Sequence, residues 1–227
     1  ERSKVAQLEY QQKKLVGLVT EQIYHGEVNN NLLVQVLSHV VDLRNQKSGP
    51  HALRICTMCR ILLSHLRKKT DRYRLTGADI YIISTASALH DIGKVAIPDE
   101  ILNKQSGLTD EEYAIMKSHA SNGYDVLKYV TIMPNLADGA GYHHERLDGK
   151  GYPYGKKGDE IPMVAQIIAV ADTFDAMYST RPYRKKMPLM DVVTEIERVA
   201  GTQLNSDVVK CLVELANEGL LEDETAV

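Results

Sequence analysis

Tryptophan is absent from this 227-residue sequence, phenylalanine occurs once and cysteine three times. So few cysteines exclude a disulfide scaffold. A chain of this length can bury a sufficient core without one, and an odd number of thiols is expected to stay reduced, which points to the cytoplasm. No apolar run approaches the roughly 20 residues that a membrane-spanning helix needs, and no basic-then-apolar leader stands at the start. The first residue is Glu1 rather than methionine, so an upstream sensor or receiver domain is expected. An excess of charge of one sign is missing as well. Lys and Arg total 27 against 30 for Asp and Glu, a net charge of -3, so DNA is not an expected partner. An anionic substrate would have to be held by local charge, and bound divalent cations are one source of it.

The alternating β-branched pattern of strands is also scarce. Apolar residues recur at three- and four-residue intervals nearly throughout, which predicts an all-α chain. Residues 2–23 read as a polar helix with a narrow stripe of Val5, Leu8, Leu15 and Val19. Such a helix either packs on its own domain or forms a parallel coiled coil, and a homodimer through the N-terminal helices is one expectation. Gly26 and the asparagines Asn29 to Asn31 end it, and residues 32–43 predict a second helix. After the breaker Ser48-Gly49-Pro50, further helices are predicted over residues 51–67 and 78–91, then from the capping box Thr109/Glu112 to about 129. Pro162 opens one that reaches 178, and Asn205 caps the last, which Gly219 ends. The glycine-rich stretch 147–160 predicts an ordered loop. The expected organisation is an N-terminal helical linker over 1–47, a main domain over 48–220 and a tail over 221–227.

Five histidines, His51, His90, His119, His143 and His144, are each expected near a helix end. A single helical histidine is more often a surface or hydrogen-bonded residue than a ligand, and the doublet His90-Asp91 arises by chance too. That doublet, however, follows Leu89 and a run of alanines. Ionisable groups there are costly unless something neutralises or coordinates them. The adjacent pair His143-His144, followed by Glu145 and by Asp148-Gly-Lys-Gly-Tyr-Pro153, strengthens the metal reading. Imidazoles and carboxylates together suit manganese, iron, nickel or zinc. Cys56 and Cys59, three apart on an apolar helix, read as packing thiols, and His25, His39 and His65 as ordinary surface or helix residues.

The stretch His90-Asp-Ile-Gly-Lys94 with Ile97-Pro-Asp99, together with His143-His-Glu-Arg-Leu-Asp-Gly-Lys-Gly-Tyr-Pro153, resembles the HD-GYP phosphodiesterases of the HD superfamily of metal-dependent phosphohydrolases. The likeness runs in order from about residue 48 to 215, through Glu111-Glu112, His119, Ala171-Asp172 and Arg181-Pro-Tyr-Arg184. It implies an HD-domain helical bundle with a GYP loop extension and additional N-terminal helices. Of the metal ligands it implies, His51, His90, Asp91 and Asp172 would hold one ion and His119, His143 and His144 the other, with Asp91 bridging. Where three-metal members carry a glutamate, this chain has Lys47, whose ammonium has no lone pair to give. Two divalent transition metals are therefore expected, iron or manganese first, nickel or zinc as alternatives.

The implied reaction is hydrolysis of cyclic di-GMP to the linear pGpG, and on to GMP if the second step runs. The attacking hydroxide would be held between the two cations, which lower water's pKa from about 15.7. Lys94 is expected to meet the growing phosphate charge, and Arg181 and Arg184 to grip phosphate. Tyr152 is expected to stack on a base or hydrogen-bond a phosphate. Asp175, one helical turn after Asp172, suits a substrate amine or a neighbouring imidazole. The same chemistry fits 3′,3′-cyclic GMP-AMP or pGpG as substrate. A reading of another class is a catalytically weak signalling module that engages partner proteins through the GYP loop. A plain HD nucleotidase leaves His119, His143, His144 and the loop unexplained.

Overall fold

The computed structural model describes residues 34, 36–41, 43–44, 51–130, 133, 135–179 and 186–221. The helix expected over 2–23, the dimer contact assigned to it, Lys47, Arg181 and Arg184 lie outside the described residues. Helix α1, His51–Lys69, buries Ile55, Met58, Cys59, Leu62, Leu63 and Leu66, a three- and four-residue spacing that makes one continuous apolar face. Its last turn carries Arg67, Lys68 and Lys69, cations at the end where the helix dipole favours them. Helix α2, Gly77–Ala88, starts at a capping box between Thr76 and Asp79. Its buried serines turn inward on their own helix: Ser84 Oγ donates to Ile80 O at 2.7 Å and Ser87 Oγ to Ser84 O at 2.6 Å.

A 3-10 turn, Ile92–Ala96, and the short helix α3, Asp99–Leu102, lead to α4, Asp110–Leu127. The capping box expected at Thr109 and Glu112 is present at the start of α4. Then come α5, Asn135–Tyr142, α6, Met163–Tyr178, α7, Leu189–Arg198, and α8, Ser206–Asn217, which Asn205 caps through its side chain. Among the described residues the sole β pairing is a bridge between Ala200 and Leu204, so the all-α expectation holds. No described helix is long and apolar enough to cross a membrane. The chain divides after Val36, and the larger unit, from Leu37 onward, holds α1 to α8.

Helix α6 is the spine. Ala165, Ile167, Ile168, Val170 and Ala171 have no solvent exposure, and α6 packs against α1, α2, α5, α7 and α8. Truncating a side chain such as Ile168 to alanine costs about 2–5 kcal/mol, because the packed surroundings cannot close the hole. Helices α1 and α8 are also joined by His65 Nε2 and Glu214 Oε2 at 2.9 Å. A second contact surface joins α4 to α5 and to the 3-10 turn. Three helices, the one-turn α3 and the longer α5 and α7, are not announced by the sequence. Helix α5 carries Gly139 and Gly141, which lower its intrinsic propensity; they are there because a Cβ at Gly139 would come within 3.0 Å of Ile168 and one at Gly141 within 2.8 Å of Tyr124. Helix α7 starts at Leu189 behind Pro188, in a stretch between residues 178 and 205 for which the sequence predicts no helix.

Candidate metal centre

Helix α2 stops at Ala88, three residues short of the expected end. The Leu89 amide reaches back to Ala86 O at 3.0 Å and the His90 amide to Ser87 O at 3.4 Å, tightening the chain into a turn. His90 and Asp91 therefore leave the helical register just before the 3-10 turn. That turn lies hard against α4: a Cβ on Gly93 would fall 1.9 Å from His119 O and 2.4 Å from Gly123 N. His51 is the first residue of α1, and His143 and His144 directly follow α5. The helix-end expectation fails for His119, which sits in the middle of α4. There the helix meets the 3-10 turn and α5, so a mid-helix side chain is the one that faces the centre.

The side chains converge. Ligand-capable atoms of His119, His143 and His144 lie within 4.8 Å of one another, as do those of His51, His90 and Asp172, and those of His90, Asp91 and His143. His51, His90, His119 and His143 are almost wholly buried. The two oxygens of Asp91 face opposite ways: Oδ2 is 3.4 Å from His90 Nε2 and 3.9 Å from His51 Nε2, whereas Oδ1 is 3.4 Å from His119 Nε2. Asp172 Oδ1 lies 3.5 Å from His51 Nε2. Lys94 Nζ donates to Asp91 Oδ2.

Each of four rings has its far nitrogen tied down. Nδ1 of His90 bonds Ser87 O at 2.7 Å, that of His119 bonds Met116 O at 2.8 Å, and that of His143 bonds Ala140 O at 2.8 Å. All three use the carbonyl three residues back. Nδ1 of His51 instead meets Asp175 Oδ2 at 2.7 Å. Because a carbonyl only accepts, those contacts assign the proton of each neutral ring to Nδ1 and leave a lone pair on Nε2. The Nε2 atoms of His119 and His143 then sit 3.4 Å apart, with no proton between them in the neutral rings. Two lone pairs so placed could be shared by one cation, and anchored Nδ1 atoms are the usual outer support of metal-binding imidazoles.

The electrostatics agree for His119, His143 and His144, and run the other way for His51. Burial, followed by the neighbouring imidazoles, lowers the pKa of His143 well below the ordinary histidine value; burial and His119 bring His144 down to about 3. His119 is lowered chiefly by burial. Burial would raise Asp91, but the Lys94 ammonium and the rings of His90, His119 and His51 outweigh it and hold the carboxyl well below its usual range. Burial likewise opposes a charged His51, yet the Asp175 hydrogen bond and the charges of Asp172 and Asp91 raise its pKa. Neutral rings around an ionised carboxylate are the protonation state in which these groups can coordinate.

Asp175 is committed inward. Besides His51 it accepts from Arg54 Nε at 2.6 Å, Arg54 Nη2 at 3.0 Å and Ser179 Oγ at 2.7 Å. Of the two roles weighed for it, that geometry serves the imidazole rather than a substrate amine. The glycine-rich loop is held by a residue that the sequence reading left without a role. Glu145, 3% exposed, accepts the Tyr154 amide at 2.7 Å and the Lys156 amide at 3.0 Å. A buried carboxylate next to two histidines was the available signal. A Cβ on Gly151 would fall within 2.5 Å of three backbone atoms, so only glycine lets the loop close there. The Tyr152 ring stacks on His144 at 4.6 Å between centroids. An open cleft of about 400 Å³ is lined by His143, His144, Tyr152, Asp172 and Tyr113 among others, within the size range of ligand pockets. Burial pushes the thiols of Cys56 and Cys59 up, away from reactive thiolates.

The model of the HD domain family matches residues 28–208. A cyclic di-GMP phosphodiesterase of Thermotoga maritima is 46% identical over 138 residues, covering 60% of this chain and 38% of its own length. The 3′3′-cGAMP-specific phosphodiesterase 2 of Vibrio cholerae is 36% identical over 184 residues, covering 80% of this chain and 34% of its own length. The chain thus spans little more than a third of the length of these curated relatives. In fold it resembles the crystal structure of a cyclic GMP-AMP specific phosphodiesterase of V. cholerae, with a TM-score of 0.59 at 18% identity over 85% of this chain and 51% of that one. With its buried His-Asp turn and a family match over most of its length, this chain belongs to the HD domain family and is related to the HD-GYP phosphodiesterases.

Proposed function

We propose that this chain is a metal-dependent phosphodiesterase that cleaves cyclic di-GMP to pGpG. The observation that carries the reading is the convergence of imidazole Nε2 atoms on the two oxygens of Asp91, with four of the five rings anchored through Nδ1. His51, His90, Asp91 and Asp172 would hold one divalent ion and His119, His143 and His144 a second, with Asp91 between them. The mixed nitrogen and oxygen set suits iron or manganese, with nickel and zinc as alternatives. When bound, such a pair supplies a Lewis acid for a phosphate oxygen and a lowered pKa for water.

The chain's own groups do the rest. Lys94, poised on Asp91, lies where it can turn to the phosphate charge that grows in the transition state; a well-aimed donor of this kind is worth about 3 kcal/mol. Tyr152, stacked on His144 at the cleft, is proposed to stack on a base or hydrogen-bond a phosphate. Arg181 and Arg184 are proposed to grip the second phosphate. The free thiols of Cys56, Cys59 and Cys211 support action in a reducing cytoplasm. A second reading, 3′,3′-cyclic GMP-AMP as substrate, is favoured by the likeness to the V. cholerae enzyme of that specificity.

Anaerobic purification, elemental analysis and chromatography of products from cyclic di-GMP, 3′,3′-cyclic GMP-AMP and pGpG test the proposal. Two ions per chain are expected, falling toward one in His119→Ala. Lys94→Ala should lower kcat by about a hundredfold with metal content unchanged. A metal-free enzyme that still turned over, or a fully loaded one that cleaved none of the three, would refute it.

A further inference from the structure

The helical residues 37–41, 43 and 44 contribute no ligand to the centre, yet they hold both ends of the turn that presents His90 and Asp91. Before the turn, Ser38 Oγ donates to Ala88 O at 2.7 Å. After it, the Arg44 guanidinium donates to Lys94 O at 3.3 Å, to Val95 O and to Ile97 O at 3.0 Å, and it pairs with Asp99 Oδ1 at 2.7 Å. The Arg44 carbonyl in turn accepts from Asn103 Nδ2 at 3.0 Å.

Carbonyls at the end of a helical turn lack donors from within it. Val95 O and Ile97 O, together with Lys94 O, which also takes the Ile97 amide at 3.1 Å, cluster beside a carboxylate and match the fan of N–H groups on a guanidinium, which no ammonium reproduces. The backbone gripped in this way includes Lys94 itself, whose half-buried ammonium reaches Asp91 from it.

We propose that Arg44 is a positioning residue: by gripping the carbonyls of Lys94, Val95 and Ile97 it aims the Lys94 ammonium, so that the seating of Arg44 sets the turnover of the centre. The proposal rests on the hydrolytic reading of Lys94 given above. If the far end of the turn loosens, Lys94 can swing toward solvent while Ser38 still holds Ala88 O and His90, His119 and His143 keep their own ties to Ser87 O, Met116 O and Ala140 O. The effect should therefore fall on kcat and leave metal content and KM unmoved.

The test compares Arg44→Ala, Arg44→Lys, Lys94→Ala and the double variant Arg44→Ala/Lys94→Ala as metal-loaded full chains. Misaiming a catalytic group should lower kcat about tenfold in both Arg44 variants, with KM within about twofold. The double variant should be no slower than Lys94→Ala alone, since residues that act through one another are not additive. Amide hydrogen exchange over residues 92–97 should run about tenfold faster in Arg44→Ala while that of α6 is unchanged. Unaltered exchange over 92–97, or a double variant whose losses multiply, would overturn the proposal, as would an Arg44→Lys that behaves like the unsubstituted chain. If the unsubstituted chain cleaves no cyclic dinucleotide, the functional reading fails, and the exchange measurement alone decides whether Arg44 holds the turn.

Discussion

Replacing Asp175 with asparagine keeps the shape of the side chain and removes its charge, and it isolates the one imidazole whose orientation depends on a distant partner. His51 Nδ1 is 2.7 Å from Asp175 Oδ2, in a site only 5% exposed, so the bond is short and poorly screened. A hydrogen bond to a charged group contributes about 1.5–3 kcal/mol. Loss of an outer-shell carboxylate behind a metal-binding imidazole typically weakens affinity about 10- to 100-fold, or about 1.4–2.7 kcal/mol, and the two figures agree. Asparagine is preferable to alanine because its carbonyl oxygen can still accept from Arg54, whose side chain is 15% exposed. Alanine would strand that cation, at a cost of about 3–5 kcal/mol.

The assay is titration of metal-free protein with Mn²⁺ by calorimetry, with bound metal counted after dialysis against buffered Mn²⁺. One site should weaken by the stated factor. The other should keep its affinity, because His119 and His143 are braced by Met116 O and Ala140 O on their own helices. Equal weakening of both sites, or no change at either, would show that the anchoring of Nδ1 does not govern affinity.

Gly93→Ala places a methyl 1.9 Å from His119 O, a backbone atom that cannot step aside. Overpacking of this sort costs about 1–3 kcal/mol at least; the chemical-denaturation midpoint should fall, and the surviving folded protein should bind less metal because Asp91 and His119 are pushed apart. In the metal-free protein, His144 stays neutral down to about 3, and His119 and His143 are also lowered, whereas the same rings in the unfolded chain take up protons near about 6.5. The unfolded state then binds more protons below about 6.5, so stability should decline as pH falls from there toward 3. His51 works the other way: its raised pKa adds stability that is full below about 6.5 and fades as pH rises through its folded value. Three rings against one give a melting temperature that drops between pH 7 and pH 5, with a shallower slope in His144→Ala; a flat profile in the metal-free chain would contradict this.

Much of the fold could be read from local chemistry. Thr109 with Glu112 announces the start of α4, and the run from Val164 to Ala171 announces a buried α6. What stayed hidden depends on neighbours far away in sequence. Helix α5 is helical despite Gly139 and Gly141 because α4 and α6 leave no room for side chains there. The early end of α2 at Ala88 follows from how its last residues tighten, which no single residue type signals. In the centre, the histidines and aspartates stood out as costly groups in apolar helices. The carbonyls that hold the rings did not, since every residue has one. Asp175 was visible as a second acid on the face of Asp172, but its partners His51 and Arg54 lie 124 and 121 residues away, beyond what periodicity can reach.

Glu145 has a mechanical implication. Its carboxylate clasps the amides of Tyr154 and Lys156, and it is joined to His144 by a single peptide bond. A pull or push on the tip of that loop is therefore delivered to an imidazole through one side chain, with no slack segment to absorb it. The outer rim of the loop is thus one carboxylate and one peptide bond removed from the His144 ring.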